Sequence, residues 1–285
     1  MSGPIERVAV IGAGTMGHGI AQVAAQAGCQ VALFDALPTA VEHGLARVRE
    51  TLDGGIARGK LTPAERAATL SRLRGSSSLA EAAADADLVI EAVPERLELK
   101  RQVFGELAGL TPPHALLATN TSSLSVSTIQ EATPCPERVL GLHFFNPVHI
   151  MALVELVRGR ATAPAAIDSA LAFVRRLGKE PIVVNDAPGF ASSRLGVALG
   201  LEAMRMVEQG VADAEAIDRA MELGYRHPMG PLRLTDLVGL DVRLGIAESL
   251  HEALSSEVFR PPDILRRMVA DGKLGKKSGE GFYRW

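Results

Sequence analysis

The sequence predicts an α/β domain followed by an all-α domain. Short apolar runs alternate with helical patterns through the first part of the 285-residue chain. Strand–helix–strand repeats at this spacing indicate a parallel sheet with right-handed crossovers. After Pro188–Gly189 the strand signals stop, and the later apolar residues have helical spacing. We therefore predict an α/β domain over residues 1–185 and an all-helical domain over residues 186–285.

Seven strands and six helices are predicted in the first domain. The predicted strands are Val8–Ile11, Val31–Phe34, Leu88–Ala92, Ala115–Thr119, Val139–His143, Leu153–Val157 and Ile182–Val184. The predicted helices are Gly17–Ala27, Pro38 to Asp53, Thr62 to Leu73, a short one after Ser78, Pro94 to Ala108 and Pro164 to Leu177. Pro38 suits a first helical turn, and Thr62 with Glu65 forms a capping-box pattern. Ser78 with Glu81 repeats that pattern.

The second domain contains only helical patterns. Leu195, Leu199 and Met206 predict one long helix, and Asp213 begins a second. Three further helices are predicted after a turn at residues 227–231, over Leu232–Leu237, Asp241–Leu254 and Asp263–Ala270.

Composition narrows the function classes. The formal net charge of −3 argues against a nucleic-acid binder with a broad basic surface. No apolar run approaches the roughly 18–20 residues that span a bilayer, and the first apolar run ends at Gly12, too early for a signal peptide. With only two cysteines, Cys29 and Cys135, we expect neither a disulfide framework nor a metal site, and we expect a reducing cytoplasm.

A glycine-rich turn follows the first strand and opens the first helix, with the sequence GAGTMG over residues 12–17. Gly12 allows the tight turn, Gly14 lets the backbone approach a pyrophosphate, and Gly17 lets helix pack on strand. Thr15 and Met16 complete this turn at a helix N-terminus, which favours phosphates. Asp35 ends the second strand, where an acid accepts hydrogen bonds from an adenosine ribose and disfavours a 2′-phosphate. The pattern predicts a Rossmann-type domain that binds NAD; the alternative is a tight turn without a ligand.

Polar side chains follow a strand at Asn120-Thr121-Ser122-Ser123. Ligands bind at the carboxyl ends of the strands in open α/β sheets, which favours a functional role for this stretch. Serine and threonine are also common helix N-caps, and this interpretation stays open for Ser123 and Ser125.

Two ionisable residues lie inside apolar strands, His143 and Glu155. A carboxylate inside such a strand is unfavourable unless it is paired. If the two strands are neighbours, Glu155 can orient the imidazole and stabilise its charged form, so that the other ring nitrogen serves as an acid or base. The alternative is a histidine that is merely satisfied within the core.

The whole set of motifs resembles the L-3-hydroxyacyl-CoA dehydrogenases, and the bacterial 3-hydroxybutyryl-CoA branch most. The matching stretches are GAGTMG, Asp35, NTSS at 120–123, GLHFFNPV at 141–148, ALVELV at 152–157, APGF at 187–190, HPMGP at 227–231 and GKKSGEGFY at 275–283. They occur in order over nearly the entire chain.

The resemblance implies roles for particular residues. In that family a His–Glu pair takes the proton of the substrate hydroxyl as hydride passes to NAD, which here corresponds to His143 and Glu155. The serine that binds the substrate oxygen corresponds to Ser122. Cofactor contacts correspond to Asn120, Glu95 and Lys100. The helical domain is expected to form a homodimer interface and to contribute to substrate binding.

One position departs from the family pattern. Many members carry an asparagine in a PGF-x-x-N-R stretch, and that residue joins the catalytic group. Here Ser193 stands at this position. Serine offers a hydroxyl donor and acceptor but is shorter than an amide. It can still bind the thioester carbonyl, directly or through a water.

Residues 47–74, the basic segment, are locally positive within an acidic protein. They contain seven basic side chains (Arg47, Arg49, Arg58, Lys60, Arg66, Arg72 and Arg74) against three acidic ones (Glu50, Asp53 and Glu65). The resemblance implies a coenzyme A contact here, for which we choose Arg58 and Lys60. The alternative is a solvated helical face.

The sequence therefore predicts an NAD-dependent 3-hydroxyacyl-CoA dehydrogenase with an acyl-CoA substrate. One alternative is a related sugar-acid or hydroxy-acid dehydrogenase of the same fold. A second is a protein that binds NAD without catalysis, for which Ser193 is the only support.

Overall fold

The computed structural model describes residues 3–285. The chain divides into two compact units, the first ending at Asp186 and the second beginning at Ala187.

The first unit is built on one sheet, which has eight strands within residues 3–285. They are β1 (Arg7–Ile11), β2 (Gln30–Phe34), β3 (Leu73–Gly75), β4 (Leu88–Glu91), β5 (Leu116–Thr119), β6 (Val139–Phe144), β7 (Leu153–Arg158) and β8 (Glu180–Asn185). The strand order is β3-β2-β1-β4-β5-β6-β7-β8. β1 to β6 run parallel, β7 is antiparallel to β6, and β8 is parallel to β7.

Helices cover this sheet and bury its central strands. They are α1 (Gly17–Gln26), α2 (Pro38–Ala57), α3 (Pro63–Ser71), α4 (Leu79–Ala83), α5 (Leu97–Leu110), α6 (Val126–Gln130) and α7 (Pro164–Arg176). The four residues of β4 and the four of β5 are all buried, as expected for parallel strands covered on both faces.

The second unit is helical. It contains α8 (Ser192–Glu208), α9 (Ala214–Gly224), α10 (Pro231–Val238), α11 (Leu240–Leu254) and α12 (Asp263–Ala270). Its C-terminal segment is tied to α10 by buried Asp236, which accepts hydrogen bonds from the Phe282 and Tyr283 backbone N–H groups and from the Trp285 indole, each at 2.9 Å. The predicted α/β and all-α fold class is confirmed.

Most predicted elements are confirmed within a few residues, and the differences have local causes. The capping box at Thr62 is present, with both reciprocal hydrogen bonds. At Ser78 only half the box forms, because the Glu81 carboxylate binds Ser77 instead. The prediction that the third helix reaches Leu73 was wrong: α3 ends at Ser71, and β3 was missed because three residues are too short for a periodic signal.

Candidate active site at the carboxyl edge of the sheet

Most of the predicted site residues of the first unit lie at or just beyond the carboxyl ends of the parallel strands. The glycine turn follows β1, Asp35 follows β2, Glu95 follows β4 and Asn120 follows β5. Parallel strands end at the same edge of a sheet, so the topology brings these residues to one edge.

The glycine turn has the geometry of a phosphate cradle. Gly12 has φ +101°, and a Cβ at this position would lie 2.6 Å from the Ala92 carbonyl oxygen. A Cβ on Gly17 would overlap the Gly12 carbonyl oxygen, whereas a Cβ on Gly14 would have no atom within 4 Å. Gly12 and Gly17 therefore permit the turn, and Gly14 leaves open space where a pyrophosphate fits. Thr15 is exposed, and Met16 lies at the start of α1.

Asp35 lies beside this turn and is half-buried. Its carboxylate accepts the Ala13 N–H at 2.8 Å and the Leu37 N–H at 3.0 Å. The carboxylate is thus held by the backbone next to the cradle, where a ribose would follow the pyrophosphate.

A buried charge cluster lies where β4 ends, and it contains a residue that the sequence analysis missed. The Lys100 ammonium is fully buried and lies 2.7 Å from Glu91 Oε1 and 3.4 Å from Glu95 Oε2. Glu91 is also fully buried and accepts hydrogen bonds from the Val93 N–H and the Thr119 hydroxyl, both at 2.7 Å. An acid inside an apolar strand, the signal that selected Glu155, was present at Glu91 as well.

Glu95 organises the loop that follows β5. Its Oε1 accepts the Thr121 hydroxyl at 2.6 Å, the Ser122 N–H at 2.9 Å and the Ser122 hydroxyl at 3.3 Å. Burial opposes ionisation of Glu95, but Lys100 and these hydrogen bonds outweigh burial and hold its pKa below the usual value. An ionised Glu95 therefore fixes the backbone around Ser122, and Lys100 fixes Glu95.

Asn120 is oriented by two neighbouring strands. Its backbone N–H donates to the Glu91 carbonyl at 2.8 Å, and its side-chain oxygen accepts the Phe144 N–H at 2.9 Å. With the oxygen occupied in this way, the side-chain NH2 group provides the donors that remain for a ligand.

His143 and Glu155 lie directly opposite each other on antiparallel β6 and β7. His143 Nδ1 is 2.7 Å from Glu155 Oε2, Glu155 is fully buried, and His143 is 6% exposed. The Phe145 ring lies 4.4 Å from the imidazole, centroid to centroid. The meeting of the two side chains, which depended on the strands being neighbours, is confirmed; their catalytic role stays a prediction.

Comparison with known proteins identifies the family. Residues 7–187 match the model of the 3-hydroxyacyl-CoA dehydrogenase NAD binding domain, and residues 189–285 match the C-terminal domain model of the same family. The chain belongs to the 3-hydroxyacyl-CoA dehydrogenase family. The resemblance inferred from the sequence is confirmed, and the enzyme class is that of an NAD-dependent oxidoreductase.

Individual relatives extend over the whole chain. A 3-hydroxybutyryl-CoA dehydrogenase from Mycobacterium tuberculosis is 45% identical and covers 100% of both chains. The crystal structure of FadB2 from the same organism has a TM-score of 0.96 at 44% identity, covering 99% of this chain and 100% of that one. The (S)-3-hydroxybutyryl-CoA dehydrogenase PaaH1 from Ralstonia eutropha has a TM-score of 0.94 at 41% identity, covering 99% of each chain.

Ser193, which stands where many family members carry asparagine, lies in the second unit. Ser193 is the second residue of α8 and is half-buried. It therefore belongs to the first turn of the long predicted helix, whose existence is confirmed.

The basic segment is not uniformly available to a ligand. Arg66 is paired with Asp53 at 2.6 Å, and Arg74 with Glu81 at 2.7 Å. Arg58 and Lys60 are exposed at the C-terminal end of α2, which runs four residues past the predicted Asp53. The Arg58 guanidinium turns back toward Gly54, where a Cβ would lie 3.2 Å from Nη1.

Across residues 3–285, no group of three or more His, Cys, Asp or Glu side chains is arranged to hold a metal ion. In that same range, no helix is both long and apolar enough to cross a membrane.

Proposed function

We propose that the protein interconverts (S)-3-hydroxyacyl-CoA and 3-ketoacyl-CoA with NAD, and that its substrates are short-chain ones such as 3-hydroxybutyryl-CoA. The observation that carries the proposal is the buried His143–Glu155 pair at the sheet edge where the glycine turn lies. The names of the M. tuberculosis and R. eutropha relatives support the choice of acyl chain.

His143 acts as the acid and base of the reaction. In the oxidative direction His143 Nε2 accepts the proton of the substrate 3-hydroxyl. Bound NAD would supply the acceptor for the hydride that leaves C3. The tautomer with an acceptor lone pair on Nε2 has Nδ1–H donating to Glu155. Glu155 thereby orients the ring and stabilises the imidazolium that forms. Reduction of the ketone returns the proton from Nε2.

The loop held by Glu95 serves the substrate and the cofactor. The Ser122 hydroxyl hydrogen-bonds the substrate oxygen, and the Asn120 amide donates to NAD. Lys100 was expected to contact the cofactor, but its ammonium is fully buried against Glu91 and Glu95. We therefore assign it an indirect role, in which it keeps Glu95 charged and in position.

The glycine turn from Gly12 to Gly17 binds the NAD pyrophosphate, and Asp35 binds the adenosine ribose. Arg58 and Lys60 bind phosphates of coenzyme A. Ser193 binds the thioester carbonyl, directly or through a water, in place of the family's asparagine.

The proposal also covers assembly and location. The second unit exposes large apolar side chains, among them Leu195 at 72%, Tyr225 at 76% and Leu223 at 68%. Apolar surface of this kind supports a homodimer formed through the helical domain, residues 186–285. Sedimentation at micromolar concentration tests the homodimer, and a monomer contradicts it.

We place the enzyme in the cytoplasm because its two cysteines are free.

A spectrophotometric assay tests the function. With acetoacetyl-CoA we expect oxidation of NADH at 340 nm, and with free acetoacetate we expect little. Equal rates for the free acid would favour the hydroxy-acid alternative. NADH binding by fluorescence without turnover of either substrate would favour the non-catalytic alternative.

A further inference from the structure

Basic side chains from three separate segments interact at the loop between β6 and β7. They are His18 in α1, Arg58 at the end of α2 and His149 in the loop between β6 and β7. His18 and His149 have no role in the mechanism above.

The loop that carries His149 is held in place by its neighbours. The buried Lys179 ammonium donates to the Val148 and Met151 carbonyls, each at 2.6 Å, and these residues flank His149. Val148 lies against α1 so closely that a Cβ on Gly19 would be 2.9 Å from Val148 Cβ. Val148 and Gly19 are in contact, and the charge of His18, next to Gly19, acts on the imidazole of His149, next to Val148.

His18 directly follows the glycine turn. Its Nδ1 lies 2.7 Å from the Gly14 carbonyl oxygen and donates to it, which leaves Nε2 as the ring's acceptor. The residue is in the first turn of α1, where free N–H groups and the helix dipole already favour an anion.

The charges around His149 are of one sign. Burial lowers the pKa of the His149 imidazole, and the charges of Arg58, Lys179 and His18 lower it further. No carboxylate within residues 3–285 is among the groups that act on it. Basic groups that lie together without an acid disfavour one another's positive charge, and an anion that binds among them relieves this repulsion.

We propose that His18, Arg58 and His149 form a phosphate-binding cluster, and that His149 takes up a proton when the phosphate binds. The proposal rests on the proposed function, which supplies two sources of phosphate, the nucleotide part of coenzyme A and the NAD pyrophosphate. An anion stabilises the imidazolium, so binding is tightest at low pH and weakens as the pH rises through the titration of the bound His149.

Calorimetry of coenzyme A and of NADH, each alone, tests the coupling at pH 7. In two buffers with different ionisation enthalpies, we expect uptake of a fraction of a proton with one of the two ligands. His149→Gln removes the uptake, and the matched control His114→Gln, a change at another exposed histidine, retains it. Proton uptake with coenzyme A assigns the cluster to the substrate, and uptake with NADH assigns it to the cofactor.

Kinetics at pH 6 and pH 8 give a second readout. We expect His149→Gln to raise the KM of the ligand concerned about two- to tenfold at pH 6, and less at pH 8, as for a charge-assisted contact at an exposed site. The KM of acetoacetyl-pantetheine, which lacks the nucleotide, stays unchanged. Absence of proton uptake with both ligands in the wild type overturns the proposal. If proton uptake is absent but acetoacetyl-CoA is still reduced by NADH, only the phosphate-binding proposal fails and the proposed function stands. If proton uptake is present but acetoacetyl-CoA is not reduced, the proposed function fails and the phosphate-binding cluster stands.

Discussion

Charged side chains are arranged differently at the carboxyl edge of the sheet and on the helical hairpin of α2 and α3. At the edge, Lys100, Glu91 and Glu155 are fully buried, and each is paired within 2.7 Å. On the hairpin, Arg58 and Lys60 are exposed. Buried charges must be paired within the protein even when no ligand is bound. Exposed charges are solvated by water and need no partner until a ligand binds.

The difference separates residues that perform or support chemistry from residues that provide binding energy. A pair held in advance in a dry environment needs no reorganisation during the reaction. An exposed cation interacts through water and is screened by salt. We therefore expect substitutions at the edge to have larger effects than substitutions on the hairpin, and four predictions test this ranking.

The largest effect is expected from His143→Gln. Loss of the general base should lower kcat about 10²- to 10⁴-fold while NADH binding stays nearly intact. The matched control is His114→Gln, which alters an exposed histidine 3.1 Å from Asp87. Steady-state kinetics and NADH fluorescence measure both variants. An unchanged kcat for His143→Gln would exclude His143 as the general base.

The second prediction concerns a buried lysine and an exposed one. Lys100→Met leaves Glu91 buried without its cation, which should reduce the free energy of unfolding by about 3–5 kcal/mol. Lys60→Met, at an exposed position, should change it by less than about 0.5 kcal/mol. Urea unfolding at pH 7 measures both. Similar changes in the free energy of unfolding for the two variants would show that burial does not determine how much each lysine contributes to stability.

The third prediction concerns cofactor choice at a half-buried site. Asp35→Ser should raise the KM for NAD and narrow the preference for NAD over NADP about ten- to hundredfold, as expected for loss of a charge-assisted hydrogen bond. Asp85→Ser, at an exposed aspartate, serves as the control. Initial rates with both cofactors measure the ratio, and a wild type that uses NADP as well as NAD would disprove the placement of the ribose.

The smallest effect is expected on the hairpin. Replacing both Arg58 and Lys60 with Ala should raise the KM for acetoacetyl-CoA about three- to tenfold and spare kcat, because contacts equal in ground and transition states affect only KM. Salt should raise the wild-type KM more steeply than that of the variant. Arg66→Ala, which removes a cation paired with Asp53, is the control. Equal losses with acetoacetyl-pantetheine would indicate an effect on folding instead of phosphate binding.

Sequence reasoning reached the acid–base pair but not its counterpart on β4. His143 and Glu155 were selected together because a buried acid and a buried base explain each other. Glu91 carries the same signal, yet its partner Lys100 lies on a helix and has no special spacing from it. Lys100 was assigned to the cofactor through the family resemblance alone, and only its burial in the structure points to an indirect role.

Local interactions explain what the sequence by itself determined. Backbone sterics and hydrogen bonds between chain neighbours determine the glycine turn, the capping box at Thr62, the strand–helix alternation and the helical character after Pro188.

The tertiary structure alone decided which distant side chains meet. The register of β6 and β7 places His143 opposite Glu155, the packing of α5 on the sheet brings Lys100 to Glu91, and the contact of Val148 with Gly19 brings His149 to His18. Such pairings depend on strand order and on the approach of separate segments, which no local pattern specifies.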